Sequence, residues 1–315
     1  MIEDSVIDCI GGTPTIRLGR LFAEEGVEVI AKLEALNPGG SIKDRPARYV
    51  IDHGLRTGAI RPDSLVVEST SGNLGVGLAT VCKIRGLRFR AVVDPNITRA
   101  NLTILEVLGA EIDMVTEPLA GGGMLAARIA RVRELIREDP SVFWVNQYAN
   151  TLNAAAHRDT TAEEIVMDVG GTIDVAVIAV SSGGTVMGVA RRLRALNPDV
   201  IVIGADVVGS VLFGGPPADR RLPGIGSSRI PELLRWEEID RSVHVTEAES
   251  IEGCRMLAQR EAILAGASSG SVIAAIRKVL PLLPRPVRIV TILPDRGERY
   301  LNEIFNSAPD ARLAE

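Results

Sequence analysis

Residues Val175-Ala-Val-Ile-Ala-Val180, directly after Asp174, form an unbroken apolar run that leads into the small residues Ser181-Ser182-Gly183-Gly184-Thr185 and then into an amphipathic segment. An apolar run that ends at serine and glycine predicts a buried strand, and the spacing after it predicts a helix. The same order recurs along the chain, with strands predicted at 27–33, 64–68, 88–93, 111–115, 142–145, 174–180, 200–206, 242–245 and 288–293. This alternation indicates an α/β fold with two domains, whose twisted and mainly parallel sheets are flanked by helices.

Length and composition limit the classes of protein to consider. With 315 residues, 46% of them apolar, the chain is long enough for two domains with substantial cores. We place the division near residue 145, giving domains 1–145 and 146–315, and consider that about the first 35 residues could pack on the second domain. A net charge of −5 disfavours nucleic acids and anionic membranes as partners.

No sequence feature directs the chain into or across a membrane. Its apolar runs are far shorter than the ~20 residues that span a bilayer. The start Met1-Ile2-Glu3-Asp4 lacks the basic and apolar regions of a secretory signal. We therefore expect a cytoplasmic protein.

The cysteines and histidines are few and scattered. Cys9, Cys82 and Cys254 lie far apart, and they form no zinc-ligand spacing with the three histidines, so no metal is expected. Each cysteine has apolar neighbours, which predicts a small buried side chain rather than a catalytic thiol. A nucleophilic pair formed by a cysteine and a distant histidine stays open, although nothing in the spacing supports it.

Residues 207–232 interrupt the pattern of strands and helices. They contain the glycine- and proline-rich stretches Gly214-Gly215-Pro216-Pro217 and Pro223-Gly224-Ile225-Gly226. A segment of this length without regular structure is more often functional or mobile than inert.

Lysine is rare in this chain, and one lysine stands apart from the others. Lys43 lies in Asn37-Pro38-Gly39-Gly40-Ser41-Ile42-Lys43-Asp44-Arg45, where a turn precedes a predicted helix. The positive end of a helix favours the neutral, nucleophilic form of an amine in its first turn. Lys43 is therefore a candidate Schiff-base or general-base lysine, with a plain surface lysine as the alternative.

Two further loops combine small residues and hydroxyl groups at the start of a predicted helix. One contains Ser69-Thr70-Ser71-Gly72-Asn73, and the other is 181–185. Converging N–H groups and hydroxyls suit a carboxylate or a phosphate, although an ordinary capped turn is the alternative for each. Neither loop has the spacing of a P-loop or of a dinucleotide fold, which favours a smaller phosphorylated cofactor at the carboxyl ends of parallel strands.

Five motifs occur in a characteristic order along the chain. They are 37–45 as quoted above, Thr70-Ser71-Gly72-Asn73, Gly183-Gly184-Thr185, Gly266-Ala267-Ser268-Ser269-Gly270 and Pro294-Asp295-Arg296-Gly297-Glu298-Arg299-Tyr300. In this order they resemble the pyridoxal-phosphate enzymes of the cysteine synthase and cystathionine β-synthase family over nearly the whole chain. The resemblance implies a fold type II pyridoxal-phosphate enzyme that acts on amino acids as a homodimer.

The resemblance also implies a role for each matched residue. Lys43 would hold pyridoxal 5'-phosphate as a Schiff base and, once substrate displaces it, act as the base at Cα. The cofactor phosphate would be bound by Ser181, Ser182, Gly183, Gly184 and Thr185. The substrate carboxylate would be bound by Thr70, Ser71, Gly72, Asn73 and Gln147, with Asn73 also near the ring hydroxyl.

Ser268 would face the pyridine nitrogen of the cofactor. A hydroxyl does not keep that nitrogen protonated as an aspartate would, so the ring is a weaker electron sink and transamination is disfavoured. This suits elimination from Cβ to an aminoacrylate followed by addition of a nucleophile, which is a β-replacement. Without the other motifs, a helix N-cap is the ordinary interpretation of Ser268.

Departures from the common cysteine synthase pattern point to the substrate. Leu74 stands where many cysteine synthases have threonine, Glu68-Ser69 where they commonly have a different pair, and 223–229 replaces a more hydrophobic segment. These changes resemble the N-(2-amino-2-carboxyethyl)-L-glutamate synthases, which join O-phosphoserine to the amino group of glutamate on the way to 2,3-diaminopropionate. Such anionic substrates need positive charge.

Candidate residues for that charge lie in the irregular segment. We expect Arg220, Arg221 and Arg229 to contact substrate and Tyr148 to form a wall of the pocket. A sulfhydrylase that makes cysteine from O-acetylserine or O-phosphoserine is the alternative within the class. An NAD-dependent dehydrogenase is disfavoured by the glycine spacing, and a catalytically silent sensor is disfavoured because Lys43 and Ser268 are both present.

Overall fold

The structure, a computed structural model, describes residues 2–306 and divides the chain into two units. Among the described residues, unit 1 comprises 2–11 together with Asn37–Ala156, and unit 2 comprises Gly12–Leu36 together with 157–306. The division thus falls later than the expected residue 145, because the helix Thr151–Ala156 packs on the helix that follows Lys43. Of the N-terminal segment, only Gly12–Leu36 accompanies unit 2.

Strands and helices alternate through most of the described chain. The strands are β1 (Thr15–Arg17), β2 (Val27–Leu33), β3 (Leu65–Ser69), β4 (Arg88–Val93), β5 (Glu111–Met114), β6 (Phe143–Trp144), β7 (Val175–Ala179), β8 (Ile201–Val207), β9 (Arg241–Val245) and β10 (Val287–Leu293). The α-helices are α1 (Asp44–Thr57), α2 (Asn73–Arg85), α3 (Arg99–Val107), α4 (Gly123–Glu138), α5 (Thr151–Ala156), α6 (Ala162–Val169), α7 (Gly184–Leu196), α8 (Glu247–Met256) and α9 (Ala267–Val279). Single π-helical turns occur at His157–Thr161, Leu257–Glu261 and Leu301–Phe305.

Unit 1 is built on a parallel four-stranded sheet in the order β5-β4-β3-β6. All five residues of β3 are buried, as expected for a central parallel strand that is covered on both faces. On one face, Val66 packs with Leu78 of α2 and Ile51 of α1, and on the other Val67 packs with Val132 of α4. The polar loop that follows β3 is therefore held between strands and helices that are firmly packed.

Unit 2 is built on a six-stranded sheet in the order β1-β2-β10-β7-β8-β9, in which only β1 is antiparallel to its neighbour. Its core joins Val177 of β7, Ile203 of β8, Ile289 of β10 and Ile273 of α9. α8 begins at a capping box in which Thr246 and Glu249 satisfy each other's backbone N–H groups. The carboxyl ends of the parallel strands carry the loops that the sequence singled out.

The α/β fold with parallel strands confirms the expectation from the sequence, and each of the nine predicted strands is present within one or two residues. The three-residue strand β1 was missed because it is too short to show a period of two. Residues 208–232 form no helix or strand, as expected, whereas Val207 is the last residue of β8. Within residues 2–306, no helix combines the length and apolarity that crossing a bilayer requires.

Candidate active site

Residues 69–73, from the last residue of β3 to the first residue of α2, are organised by the hydroxyl group of Thr70, and we call them the carboxylate loop after the ligand expected from the sequence. Thr70 is buried, and its Oγ1 accepts hydrogen bonds from the N–H groups of Gly72 (3.4 Å) and Gly75 (3.1 Å). Gly72 is the N-cap of α2 and has no side chain that could satisfy these donors itself. The predicted residues Thr70, Ser71, Gly72 and Asn73 therefore form one turn at a helix N-terminus, where an anion is favoured.

Ser71 is fixed by residues that the sequence motifs did not identify. Arg128 of α4 donates from Nη1 to Ser71 Oγ over 3.1 Å, and its Nε lies 3.1 Å from a carboxylate oxygen of Asp94. Asn101 of α3 donates from Nδ2 to the backbone oxygen of Ser71, also over 3.1 Å. The side chains of Arg128 and Asp94 are only 12% and 5% exposed, so water screens this ion pair weakly. Arg128 is one of several arginines in α4, and nothing in the sequence separates it from the others.

Gln147 lies beside the carboxylate loop. Its Nε2 donates to the backbone oxygen of Ser69 over 3.3 Å, and its own backbone oxygen accepts from Nδ2 of Asn153 over 2.8 Å. Asn146, just before it, has a φ of 52°, so the chain turns sharply after β6. Tyr148 follows directly and is half-buried. The fold thus brings Gln147 and its neighbour to a loop that is far from them in sequence.

Lys43 stands at the N-terminus of α1 as its N-cap residue, one position before the first turn in which the sequence placed it. The N–H group of Lys43 donates to Ser41 Oγ over 3.2 Å, and that of Gly39 donates to the carboxylate of Asp44. A Cβ on Gly39 would lie 2.4 Å from Asp44 Oδ1, so a larger residue at this position would displace the carboxylate that accepts the Gly39 N–H group. The Pro-Gly-Gly turn therefore determines where the lysine enters the helix.

A small cavity of unit 1 lies between Lys43 and Leu74, the residue that follows the carboxylate loop. Its volume is about 10 Å³, and Lys43, Leu74, Gln147 and Asn153 contribute to its wall. This volume is close to that of a single water site. Leu74 follows the carboxylate loop directly in α2, so an apolar side chain lies at this wall. Two of the predicted site residues, Lys43 and Gln147, are therefore neighbours within one unit.

Glu68, just before the carboxylate loop, is a buried acid. It is 1% exposed, and neither carboxylate oxygen accepts a hydrogen bond of normal geometry from the described part of the chain. Burial raises the pKa of Glu68 to about 8, although the N–H groups of Gln147, Asn146 and Ser69 lower this pKa in part. The carboxyl group is therefore mostly protonated at neutral pH.

Glu68→Gln should stabilise the protein more strongly as the pH rises. In the unfolded chain Glu68 ionises near its ordinary pKa of 4.5, whereas in the folded chain it stays protonated up to about pH 8. The stability that protonated Glu68 contributes is thus complete below about pH 4.5 and is lost as the pH rises towards 8. Urea unfolding should show the free energy of unfolding of Glu68→Gln, relative to the wild type, increasing by about 1 kcal/mol per pH unit between about pH 5 and 8.

Glu111 of β5 provides the matched control for this prediction. Burial raises the pKa of Glu111, but hydrogen bonds from Arg90 and Arg88 outweigh it and hold the pKa below its usual value. Folded and unfolded chains are then both ionised at this position above pH 6, so the effect of Glu111→Gln should not change between pH 6 and 8. A pH-independent effect of Glu68→Gln would contradict the protonated carboxyl.

Residues 181–185, which follow β7 and include the first two residues of α7, form the candidate phosphate loop of unit 2. Gly183 is the N-cap of α7 with a φ of 87°, a left-handed conformation that favours glycine, and a Cβ there would lie 3.4 Å from the backbone nitrogen of Leu234. Ser181 Oγ donates to the backbone oxygen of Gly226 over 3.0 Å. The first turn of α7 carries no acidic residue. Its N–H groups and the positive helix end suit a phosphate.

Ser268 is the second residue of α9 and is 3% exposed. The N-cap is Gly266, so the interpretation of Ser268 as a helix cap is wrong. A Cβ on Gly224 would lie 4.0 Å from Ser268 Oγ, so the irregular segment passes beside this hydroxyl. A Cβ on Gly266 would lie 2.1 Å from Asp295 Oδ1, so glycine lets that side chain approach the start of α9. Three of the quoted sequence stretches therefore meet within unit 2.

The three arginines of the irregular segment already have partners within unit 2. Arg221 forms an ion pair with Glu247 (3.1 Å), and Arg229 forms one with Glu232. Arg220 donates from Nη2 to a serine hydroxyl of its own segment over 2.7 Å. Contacts of these arginines with substrate therefore stay a prediction. To bind substrate, Arg221 and Arg229 would have to leave the carboxylates with which they are paired.

The three cysteines differ in exposure. Cys82 and Cys254 are buried as predicted, but Cys9 is exposed, so the expectation of burial was wrong there. Burial raises the pKa of both buried thiols to about 12, which keeps them in the unreactive thiol form. Among residues 2–306, no group of three or more His, Cys, Asp or Glu side chains is placed to hold a metal ion.

Comparison with known proteins identifies the class to which these loops belong. A family model described as "Pyridoxal-phosphate dependent enzyme" matches residues 6–295, and the chain belongs to this family. Among solved structures, the O-acetylserine-dependent cystathionine β-synthase of Helicobacter pylori has a TM-score of 0.90 and 33% identity, covering 97% of this chain and 99% of that one. The cysteine synthase of Entamoeba histolytica has a TM-score of 0.89 and 30% identity, covering 98% and 92%.

The most informative similarity is to two bacterial enzymes. The chain is 51% identical over 314 residues to the N-(2-amino-2-carboxyethyl)-L-glutamate synthase of Ralstonia nicotianae, and 52% identical over 317 residues to that of Cupriavidus metallidurans. Both alignments cover 100% of this chain and 93% of the relative. The protein is a transferase whose cofactor is pyridoxal phosphate, and its chemistry is β-replacement.

Proposed function

We propose that the protein joins O-phospho-L-serine to the amino group of L-glutamate, giving N-(2-amino-2-carboxyethyl)-L-glutamate and phosphate. The Cβ–O bond of the donor breaks, the Cβ–N bond forms, and the amine loses a proton. The proposal is carried by the identity of 51% and 52% over the whole chain to two enzymes named as synthases of this product. The departures from the cysteine synthase pattern at Leu74 and at 223–229 support it.

The residues present fit the cofactor. We infer that the phosphate loop binds the phosphate group of the cofactor. Gly183 is the N-cap of α7 in a left-handed conformation, and the first turn of this helix carries no acidic residue that would repel an anion. Lys43 would bind the cofactor covalently through its side-chain amine. The hydroxyl group of Ser268 would form a hydrogen bond with the ring nitrogen of the cofactor. Bound pyridoxal phosphate supplies an electron sink next to the substrate amine. Lys43 Nζ would then take the proton from Cα of the donor.

The carboxylate loop is prepared to donate hydrogen bonds to an anion. Thr70 Oγ1 already accepts two N–H groups, and Ser71 Oγ accepts one from Arg128, so each hydroxyl has its proton left to donate. We infer that these two hydroxyls, together with Asn73, bind the carboxylate of the donor, and that the N–H group of Gly72 would exchange Thr70 Oγ1 for this carboxylate. Gln147 would complete the pocket, with Tyr148 at its wall.

The charge of the substrates supports a role for Arg128 as well. Phosphoserine and glutamate together carry several negative charges, and a site for them needs fixed positive charge. Arg128 lies at the carboxylate loop with one carboxylate, Asp94, as its ion-pair partner. Arg220, Arg221 and Arg229 stay candidates for the acceptor. The proposal includes a homodimer, which sedimentation of the purified protein would test, and a cytoplasmic location, which fractionation of cells would test.

Product analysis tests the proposal directly. With O-phosphoserine and ¹⁵N-labelled glutamate, mass spectrometry should show the N-linked adduct with the label retained, together with one phosphate released for each adduct. Replacing glutamate by sulfide should give cysteine at least about tenfold more slowly, because the site is built for a large dianionic acceptor.

Two controls make the result decisive. O-Acetylserine lacks the phosphate dianion and should be the poorer donor, and the Lys43→Ala variant should form product from either donor at least about 10³-fold more slowly. Cysteine formation from sulfide without any adduct at millimolar glutamate would show that the protein is a sulfhydrylase instead.

A further inference from the structure

His157 stands between two threonine hydroxyls, and one of them belongs to the phosphate loop. Its Nδ1 lies 3.0 Å from Thr161 Oγ1, and its Nε2 lies 3.3 Å from Thr185 Oγ1. His157 and Thr161 are fully buried. Both belong to the π-helical turn His157–Thr161, which packs against α7. A continuous chain of polar groups therefore runs from the interior of unit 2 to Thr185.

The direction of the protons in this chain decides what Thr185 offers to a ligand. A threonine hydroxyl has one proton to donate, and each nitrogen of a neutral imidazole either donates or accepts. If Nε2 is not protonated, the hydroxyl group of Thr185 donates its proton to the histidine. Only lone pairs of Thr185 Oγ1 are then available to a ligand at the loop. If Nε2 carries a proton and donates it to Thr185 Oγ1, the hydroxyl proton of Thr185 is left for the ligand.

A phosphate accepts hydrogen bonds and, when dianionic, donates none. It therefore gains a charge-assisted hydrogen bond from Thr185 only in the second arrangement, and it faces an oxygen lone pair in the first. Thr161 is compatible with this arrangement, because its hydroxyl either donates to a bare Nδ1 or accepts from a protonated one.

We propose that His157 is a positioning residue that donates from Nε2 to Thr185 and thereby holds the Thr185 hydroxyl as a donor to the phosphate of the cofactor. This inference rests on the proposed assignment of residues 181–185 as the phosphate loop. His157 acts through Thr185 and itself does not touch the cofactor. By linkage, binding of the phosphate favours the protonated Nε2, and a protonated Nε2 favours binding of the phosphate.

The first test reads the proton directly in the unmodified protein. The chain has three histidines, and the His53→Gln and His244→Gln variants assign the third in ¹⁵N-labelled protein. Long-range ¹H–¹⁵N spectra of the holoenzyme should show a protonated Nε2 at His157. A bare Nε2 with the proton on Nδ1 would overturn the proposal. This readout needs no substitution at His157 and no turnover.

The second test uses variants and two ligands that differ only in the phosphate. His157→Leu should weaken pyridoxal phosphate binding to the apoprotein about tenfold, whereas His157→Gln, which keeps an amide donor, should weaken it by less than about threefold. Pyridoxal, which lacks the phosphate, should bind all three proteins equally. His53→Gln, a change on α1 of unit 1, is the matched control and should leave the affinity for pyridoxal phosphate within about twofold of the wild type.

Thr185→Val separates this inference from the proposed function. If Thr185→Val leaves the affinity for pyridoxal phosphate unchanged, the assignment of the phosphate loop fails. If Thr185→Val weakens binding and His157→Leu does not, or if the two effects add in the double variant, the loop assignment stands and the role of His157 is wrong. Support requires that His157→Leu has little further effect in the Thr185→Val background. Equal losses for pyridoxal and pyridoxal phosphate would show a merely structural role and overturn the proposal.

Discussion

Lys43→Ala should reduce the rate of product formation by about 10³-fold or more, because one side chain then ceases both to hold the cofactor and to move the Cα proton. In the wild type, borohydride reduction followed by peptide mapping should leave the pyridoxyl group on Lys43. The lysine stands at the start of α1 and contributes to the same cavity wall as Gln147, which is the position that both tasks require.

Lys83→Ala is the matched control, because Lys83 is an exposed lysine on a helix of the same unit. It should retain the label on Lys43 and turn over at close to the wild-type rate. Pyridoxyl label on Lys32, Lys83 or Lys278, or turnover by Lys43→Ala within tenfold of the wild type, would show that Lys43 does not have the proposed role.

Ser268→Asp should lower β-replacement by about 10²-fold while the cofactor stays bound. A carboxylate at this buried position would keep the ring nitrogen protonated, strengthen the electron sink and divert the reaction towards other outcomes. The measurements are product formation from O-phosphoserine and glutamate, formation of pyruvate as a side product, and the absorbance of bound cofactor.

Two variants separate this electronic effect from a change in packing. Ser268→Ala removes the hydroxyl without adding charge and should retain more activity than Ser268→Asp. Ser269→Ala changes the neighbouring, fully buried serine of α9 and should remain close to the wild type. Near-normal turnover in Ser268→Asp, with folded protein and bound cofactor, would mean that Ser268 does not face the reacting ring.

The sequence was informative wherever a local pattern carries the signal. The buried strands β3 and β7 are short apolar runs that end in polar loops, and their positions follow from the residues alone. The motif around Lys43 was recognisable because the turn and the helix start lie within nine consecutive residues, 37–45. The order of five such motifs then indicated the family, which the match over residues 6–295 confirms.

Other features depend on contacts between distant segments, and no local pattern encodes them. Gly12–Leu36 accompanies unit 2 because β2 pairs in parallel with β10, from Val27 opposite Val287 to Leu33 opposite Leu293. The position of the unit boundary depends on whether α5 packs on α1, which its short sequence does not reveal.

The amino-acid sequence by itself determined the α/β fold, the loops that suit anions and, through their resemblance to a family, the cofactor and the type of reaction. Only the tertiary structure decided which side chains position those loops. Packed helices and strands bring together residues that are far apart in sequence. As a result, Arg128 contacts Ser71, the carboxyl group of Glu68 is shielded from solvent, and His157 contacts Thr185. The partners of a hydrogen bond and the pKa of a buried acid depend on the surrounding atoms in three dimensions, so these properties are determined only in the folded chain.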